Sequence, residues 1–131
     1  MAGAVKKIIN TAFAPKPIGP YNQAVAVGNT VYVSGQIGIV PKTMELVSAN
    51  VQDQTRQTLD NMKQVLEAAN SSFESVVKVT VFLADINDYP TVNEVYSQYF
   101  TKDFPSRSAV QVAALPKAAR VEIEAIAVMN S

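Results

Sequence analysis

The stretch Asn50-Val-Gln-Asp-Gln-Thr-Arg-Gln-Thr-Leu-Asp-Asn-Met-Lys-Gln-Val-Leu-Glu-Ala-Ala69, with Val76-Val-Lys-Val-Thr-Val-Phe-Leu83 after it, decides the fold. In the first segment Val51, Thr55, Thr58, Leu59, Met62, Val65, Leu66 and Ala69 recur at helical spacing, while Asp53, Arg56, Asp60, Lys63 and Glu67 take the other side. That periodicity predicts an amphipathic helix with Asn50 as N-cap and Asn70 as stop. The second segment is dense in β-branched residues and predicts a strand. A helix followed at once by a strand calls for a sheet with helices packed on it.

Working outward, Val5–Ile9 reads as a short strand. Asn10–Pro20 carries Pro15, Pro17, Gly19 and Pro20 and reads as a loop. Ala24–Val27 and Val31–Gln36 flank Gly28-Asn29, the signature of a hairpin. Pro41–Met44 is a further turn. Downstream, Asp88–Phe100 reads as a second helix, with Asp88 able to cap it and Pro90 in its first turn. Arg107–Ala113 and Val121–Met129 read as strands, joined through Leu115-Pro-Lys117. The predicted order is βββαβαββ, an α+β domain spanning residues 1–131 with both helices on one face of a mixed sheet. Alternation places Val77, Val79, Val81 and Leu83 on one face of their strand. In the last strand Val121, Ile123, Ala125, Ala127 and Met129 alternate with Glu122, Glu124, Ile126 and Val128. Neither face is cleanly polar, so the second face is expected to be partly buried, most simply against another subunit.

Composition narrows the chemistry. Among 131 residues there is no His, no Cys and no Trp. That excludes a disulfide framework, a thiolate nucleophile, a Ser-His-Asp triad and a zinc, copper or haem site on the usual ligands. A carboxylate-only Mg²⁺ or Ca²⁺ site stays formally open. Lys plus Arg total 11, as do Asp plus Glu, so the net charge is zero and there is no basic surplus of the kind nucleic-acid binders carry. The N-terminal Met1–Lys7 shows no signal peptide or membrane span, and the expectation is an intracellular, cytoplasmic protein with the mitochondrion as the alternative.

Catalysis must then rest on carboxylates, Lys, Arg, Tyr, hydroxyls, backbone groups and water. Of three arginines, Arg56 reads as a solvated charge and Arg120 as the cap of an exposed turn. Arg107 follows Phe104-Pro-Ser106 at the start of an apolar strand, where it forms either a structural ion pair or a receptor for an anionic substrate. Glu122 and Glu124 share a strand face. They mark either an exposed strand end or a carboxylate that acts on water. Spacing alone does not bring Arg107 and Glu122 together. Gly35 suits a bulge or close backbone approach rather than a phosphate loop. Tyr21 reads as core or pocket wall, and Tyr96, Tyr99 and Phe100 as core.

Several segments together resemble the reactive-intermediate deaminase family RidA, also called YjgF. They are Ile18-Gly-Pro-Tyr21, Val33-Ser-Gly-Gln-Ile37, Gln57-Thr-Leu-Asp-Asn-Met62, Val77–Phe82, Tyr89 with Val92-Asn93, Pro105-Ser-Arg-Ser-Ala-Val-Gln-Val-Ala-Ala-Leu-Pro116 and Val121-Glu-Ile-Glu-Ala125. The resemblance implies a chorismate-mutase-like fold, a homotrimer with a central barrel, and active clefts between subunits. It implies cofactor-free hydrolysis of 2-imino acids and their enamine tautomers, such as 2-iminobutanoate and 2-iminopropanoate, to 2-oxo acids and ammonia. Arg107 would clamp the substrate carboxylate, and Glu122 would hold the attacking water. Tyr21, Ser34, Gly35, Asn93 and Ala109 would line the cleft, the last in place of a Cys common in bacterial members. No metal, membrane or nucleic-acid partner is implied. The competing readings are an endoribonuclease or translation inhibitor, and a non-catalytic binding or chaperone-like module for small carboxylates.

Overall fold

The computed structural model describes residues 5–131. Met1–Ala4, part of the N-terminus read above for a signal, lie outside the described residues. The order is β1 (Lys7–Ile9), β2 (Ala24–Val27), β3 (Thr30–Gln36), β4 (Ile39–Val40), β5 (Glu45–Leu46), α1 (Val51–Ala68), β6 (Val76–Leu83), α2 (Tyr89–Tyr96), β7 (Ser106–Gln111) and β8 (Val121–Val128). Six strands form one sheet in the order β1-β2-β3-β8-β6-β7, and β4 with β5 forms a separate two-stranded ribbon. All pairings in the large sheet are antiparallel except β6 with β7. The predicted mixed sheet with two helices is therefore present. The ribbon was not foreseen, because two-residue strands are too short to show a period.

Helix α1 starts where Asn50 Oδ1 accepts from the N–H groups of Gln52 and Asp53, at 2.7 and 3.2 Å. It stops where Asn70 takes the left-handed conformation (φ 56°). Its buried face sets Leu59, Met62 and Leu66 against Val79, Val81, Leu83 and Ile123 of the sheet. Thr55 and Thr58 are buried in that face because each hydroxyl donates to the carbonyl four residues back, at 2.7 Å. Gln54 and Asn61 are buried as well. Gln54 Nε2 donates to Ser48 O and its Oε1 accepts from Arg120 N–H. Asn61 Nδ2 donates to Ile37 O and Ile39 O, pinning the approach to the ribbon on the helix. Gly38 packs so closely there that a Cβ would lie 2.7 Å from backbone atoms of Gln54.

Five expectations need correction. The β6–β8 register shifts between Val76 and Lys78, a bulge, so Val76 rather than Val77 joins Val79, Val81 and Leu83 inside, and Val77 is exposed. The second helix ends at Tyr96, not Phe100, because the following residues tighten into turns that stack Phe100 on Tyr96 at 4.4 Å. Asp88 makes no capping bond. Its carboxylate instead receives Arg120 Nη2 at 2.8 and 2.9 Å, so Arg120 is an ion-pair partner rather than a turn cap. Val5 and Lys6 lie before β1, which is three residues long.

Replacing Asn61 with Ala leaves Ile39 O without its side-chain donor, at a cost of about 1–3 kcal/mol, while Ile37 O keeps the Ile39 N–H. Urea unfolding is expected to show a lower midpoint at unchanged slope.

Candidate active site

Strand β8 lies between β3 and β6 at the centre of the sheet, so its alternation fixes two environments. Val121, Ile123, Ala125 and Ala127 face the helices, and Glu122 and Glu124 face the opposite side. Glu122 is half-buried, not the exposed strand end considered above. Burial, and then the neighbouring Glu124 charge, raise its carboxyl above the ordinary carboxylate value.

Room for Glu122 comes from Gly35. The β3–β8 register shifts between Val33 and Gln36, so Ser34 and Gly35 form the predicted bulge. A Cβ on Gly35 would sit 2.3 Å from Glu122 Oε2. The carboxylate thus rests directly on glycine backbone, inside a cleft of about 190 Å³ whose lining includes Lys16, Tyr21, Ile37, Ile39, Met44 and Pro116. Tyr21 is 46% exposed, so it is a pocket wall and not core. The proline-rich loop on that rim is held by Gln23, which sequence reading passed over. Its buried amide donates to the carbonyls of Thr11, Ala14 and Pro15 and accepts from Thr11 N–H. Ser34 is engaged structurally, its hydroxyl donating to Asn22 O at 2.6 Å, and it lines neither this cleft nor the next.

Arg107 belongs to a different place. Register pairs Arg107 with Val79, and Val79 with Ala125, on the helix side. Glu122 pairs with Phe82, and Phe82 with Val110, on the other side. Within one chain the two groups project from opposite faces of the sheet. Arg107 lines a cleft of about 330 Å³ with Asn93, Tyr96, Ser97, Phe100, Phe104 and Pro105. It has no carboxylate partner among the described residues, which removes the structural ion pair considered above. Instead its Nη2 donates to Tyr89 Oη at 2.9 Å, and its Cζ lies 4.7 Å from the Tyr96 ring centroid. Tyr96 is buried as expected, yet its hydroxyl has no hydrogen-bond partner among the described residues. Tyr89 entered the sequence reading only within a motif. The signal was its spacing of four and seven residues from Asn93 and Tyr96, which puts all three near one side of α2.

Ala109 lies two residues along β7, an edge strand. Val112 N–H donates to Leu83 O at 2.8 Å, so by alternation the backbone N–H and C=O groups of Arg107, Ala109 and Gln111 point to the open edge. Among the described residues no group of three or more acidic side chains is placed to hold a metal ion, and no helix is long and apolar enough to cross a membrane.

The raised pKa of Glu122 has a consequence for stability. Between its ordinary and raised values the native state binds more protons than the unfolded chain, so its contribution to stability falls as pH rises. Glu122→Gln is therefore expected to be more stable than the wild type at pH 7. The difference should shrink as pH falls through the carboxylate range in chemical denaturation.

Comparison with known proteins follows this geometry. Residues 11–129 match the family model described as endoribonuclease L-PSP. The chain is 55% identical over 130 residues to a human protein named 2-iminobutanoate/2-iminopropanoate deaminase, spanning 99% of this chain and 95% of the human one. Among solved structures it is similar to RidA from the Antarctic bacterium Psychrobacter, with TM-score 0.91 and 47% identity, covering 94% of this chain and 99% of that one. It is likewise similar to TdcF of E. coli with bound serine, with TM-score 0.90 and 50% identity, covering 95% and 99%. A match over nearly every described element, on a sheet that carries the arginine and glutamate of the resemblance, means that the chain belongs to the endoribonuclease L-PSP family, alongside the RidA proteins.

Proposed function

We propose that the protein hydrolyses reactive 2-imino acids, 2-iminobutanoate and 2-iminopropanoate, to 2-oxo acids and ammonia. The observation that carries this is Arg107, a half-buried residue whose guanidinium lines a cleft with no carboxylate of its own among the described residues. A cation held without a counter-charge is a receptor for an anion, and its fork matches a carboxylate. The human relative named as a deaminase of these imines supports the same reading.

Glu122 supplies the other half. It would hold a water and take its proton as the oxygen adds to the C=N carbon. It would return that proton to nitrogen to give the carbinolamine, then move the carbinolamine hydroxyl proton to nitrogen as C=O forms and the C–N bond breaks, so that imine and water become 2-oxo acid and ammonia. A carboxyl whose hold on a proton is strengthened by burial and by Glu124 suits these transfers. Because Arg107 and Glu122 lie on opposite faces of one chain, we place the working site between two chains of a homotrimer, the Arg107 cleft of one meeting the Glu122 cleft of the next. Tyr21, Gly35, Asn93 and the Ala109 backbone would line it, with Ser34 fixing the loop beneath Tyr21. Tyr32 and Val128, both exposed on the outer sheet face, are apolar surface that such an assembly would cover. The whole chain would act as one domain, in the cytoplasm or alternatively the mitochondrion, with no cofactor.

The test couples purified protein to threonine dehydratase and threonine. 2-Oxobutanoate should appear faster and semicarbazide trapping of the imine should fall. Arg107→Ala removes a charge-assisted bond with a net worth of about 1.5–3 kcal/mol, and the rate should drop by roughly 10- to 150-fold. Undiminished activity in that variant would refute the carboxylate clamp. RNA cleavage lost in the same variant would instead favour the endoribonuclease reading.

A further inference from the structure

We propose that Tyr89 and Tyr96 are positioning residues that fix the Arg107 guanidinium so that one complete bidentate edge is presented to the substrate carboxylate; this rests on the clamp role given to Arg107 above. Three observations carry it. Tyr89 Oη accepts from Arg107 Nη2 at 2.9 Å. Arg107 Cζ stands 4.7 Å from the Tyr96 ring centroid and 5.5 Å from that of Tyr89, both within cation–π range. No carboxylate among the described residues competes for the guanidinium.

The donor arithmetic follows from the shape of the group. A guanidinium has five N–H donors, and Nη2 contributes one hydrogen to each of its two bidentate edges. If Tyr89 takes the Nη2 hydrogen of the Nη1/Nη2 edge, the Nε/Nη2 edge stays whole. If it takes the other, the Nη1/Nη2 edge stays whole. One hydroxyl therefore orients the group without consuming its capacity for a carboxylate, which an Asp or Glu in the same place would do. The ring of Tyr96 supports the plane from the helix side. Its hydroxyl is buried and makes no hydrogen bond among the described residues, while the ring lines the cleft with Arg107. A phenylalanine would fill the space without burying a hydroxyl. The hydroxyl of Tyr89 is also influenced by Asn93, which with Arg107 lowers its pKa and makes its anion easier to form beside the cation.

The test uses the full-length protein and 2-oxobutanoate, the stable product, as probe. Calorimetry should show Kd rising about three- to tenfold in Tyr89→Phe, an exposed position where loss of one oxygen leaves packing intact. The Arg107 guanidinium ¹⁵N signals, identified by their loss in Arg107→Lys, should show faster rotation about the Nε–Cζ bond in Tyr89→Phe than in the wild type. The Arg107 Hδ and Hε protons of the wild type should be shifted upfield by the Tyr96 ring. Unchanged Kd and unchanged ¹⁵N line shapes in Tyr89→Phe would overturn the role of Tyr89, and absence of the ring-current shift would overturn that of Tyr96. The imine-trapping assay separates this from the parent reading: a wild type that binds 2-oxobutanoate without accelerating imine hydrolysis sinks the deaminase assignment and leaves the positioning of Arg107 standing on its own spectra.

Discussion

The two-sided pairing of β8 is the constraint on which the rest of the structure depends. This strand is hydrogen-bonded to β3 on one side and β6 on the other, so it cannot shift register without breaking both ladders. Its odd residues are buried under α1, and the period of two then forces Glu122 and Glu124 to the other face. A carboxylate at the centre of a sheet needs space, and Gly35 provides it at the bulge in β3. The same central pairing sets where β6 lies, hence where β7 and Arg107 lie. One strand's alternation thereby determines which face each functional group occupies.

That division explains why the chain looks unfinished on its own. Its outer sheet face mixes half-buried carboxylate with exposed Tyr32 and Val128, and its edge strand β7 offers unpaired backbone groups. Surfaces of this kind are costly to leave in water and prone to pairing. In the proposed trimer both are covered, and the two half-sites, one cationic and one acidic, come together. Each half-site is kept rigid by local means: Gln23 ties down the loop beside Glu122, and two tyrosines hold Arg107.

The chemistry is economical because an imine, once protonated, is already electrophilic. Orientation of its carboxylate and delivery of one water supply much of what such a substrate needs. In the proposed site Glu122 would deliver that water, and its partial burial carries a cost to folding near neutral pH. The lack of His and Cys is thus compatible with catalysis by an arginine, a carboxylate and water.

Much was legible in the sequence, and for a definite reason. Helix α1, strands β6 and β8 and the Gly28-Asn29 hairpin announce themselves through local periodicity and turn chemistry, which depend on neighbours along the chain. Arg107, Glu122 and Gly35 stood out because their residue types conflict with their apolar surroundings. What stayed hidden depends on partners distant in sequence. The bulge at Val77, the Arg120–Asp88 ion pair, the early end of α2 and the tyrosines around Arg107 are decided by register and packing between elements. So is the separation of Arg107 from Glu122: each strand's alternation can be read by itself, but the side to which a strand turns a given residue is fixed only when the strands pair and the helices choose a face. The sequence by itself determined the elements and the chemical groups; the tertiary structure decided their sidedness, because sidedness is a property of the assembled sheet and of no single strand.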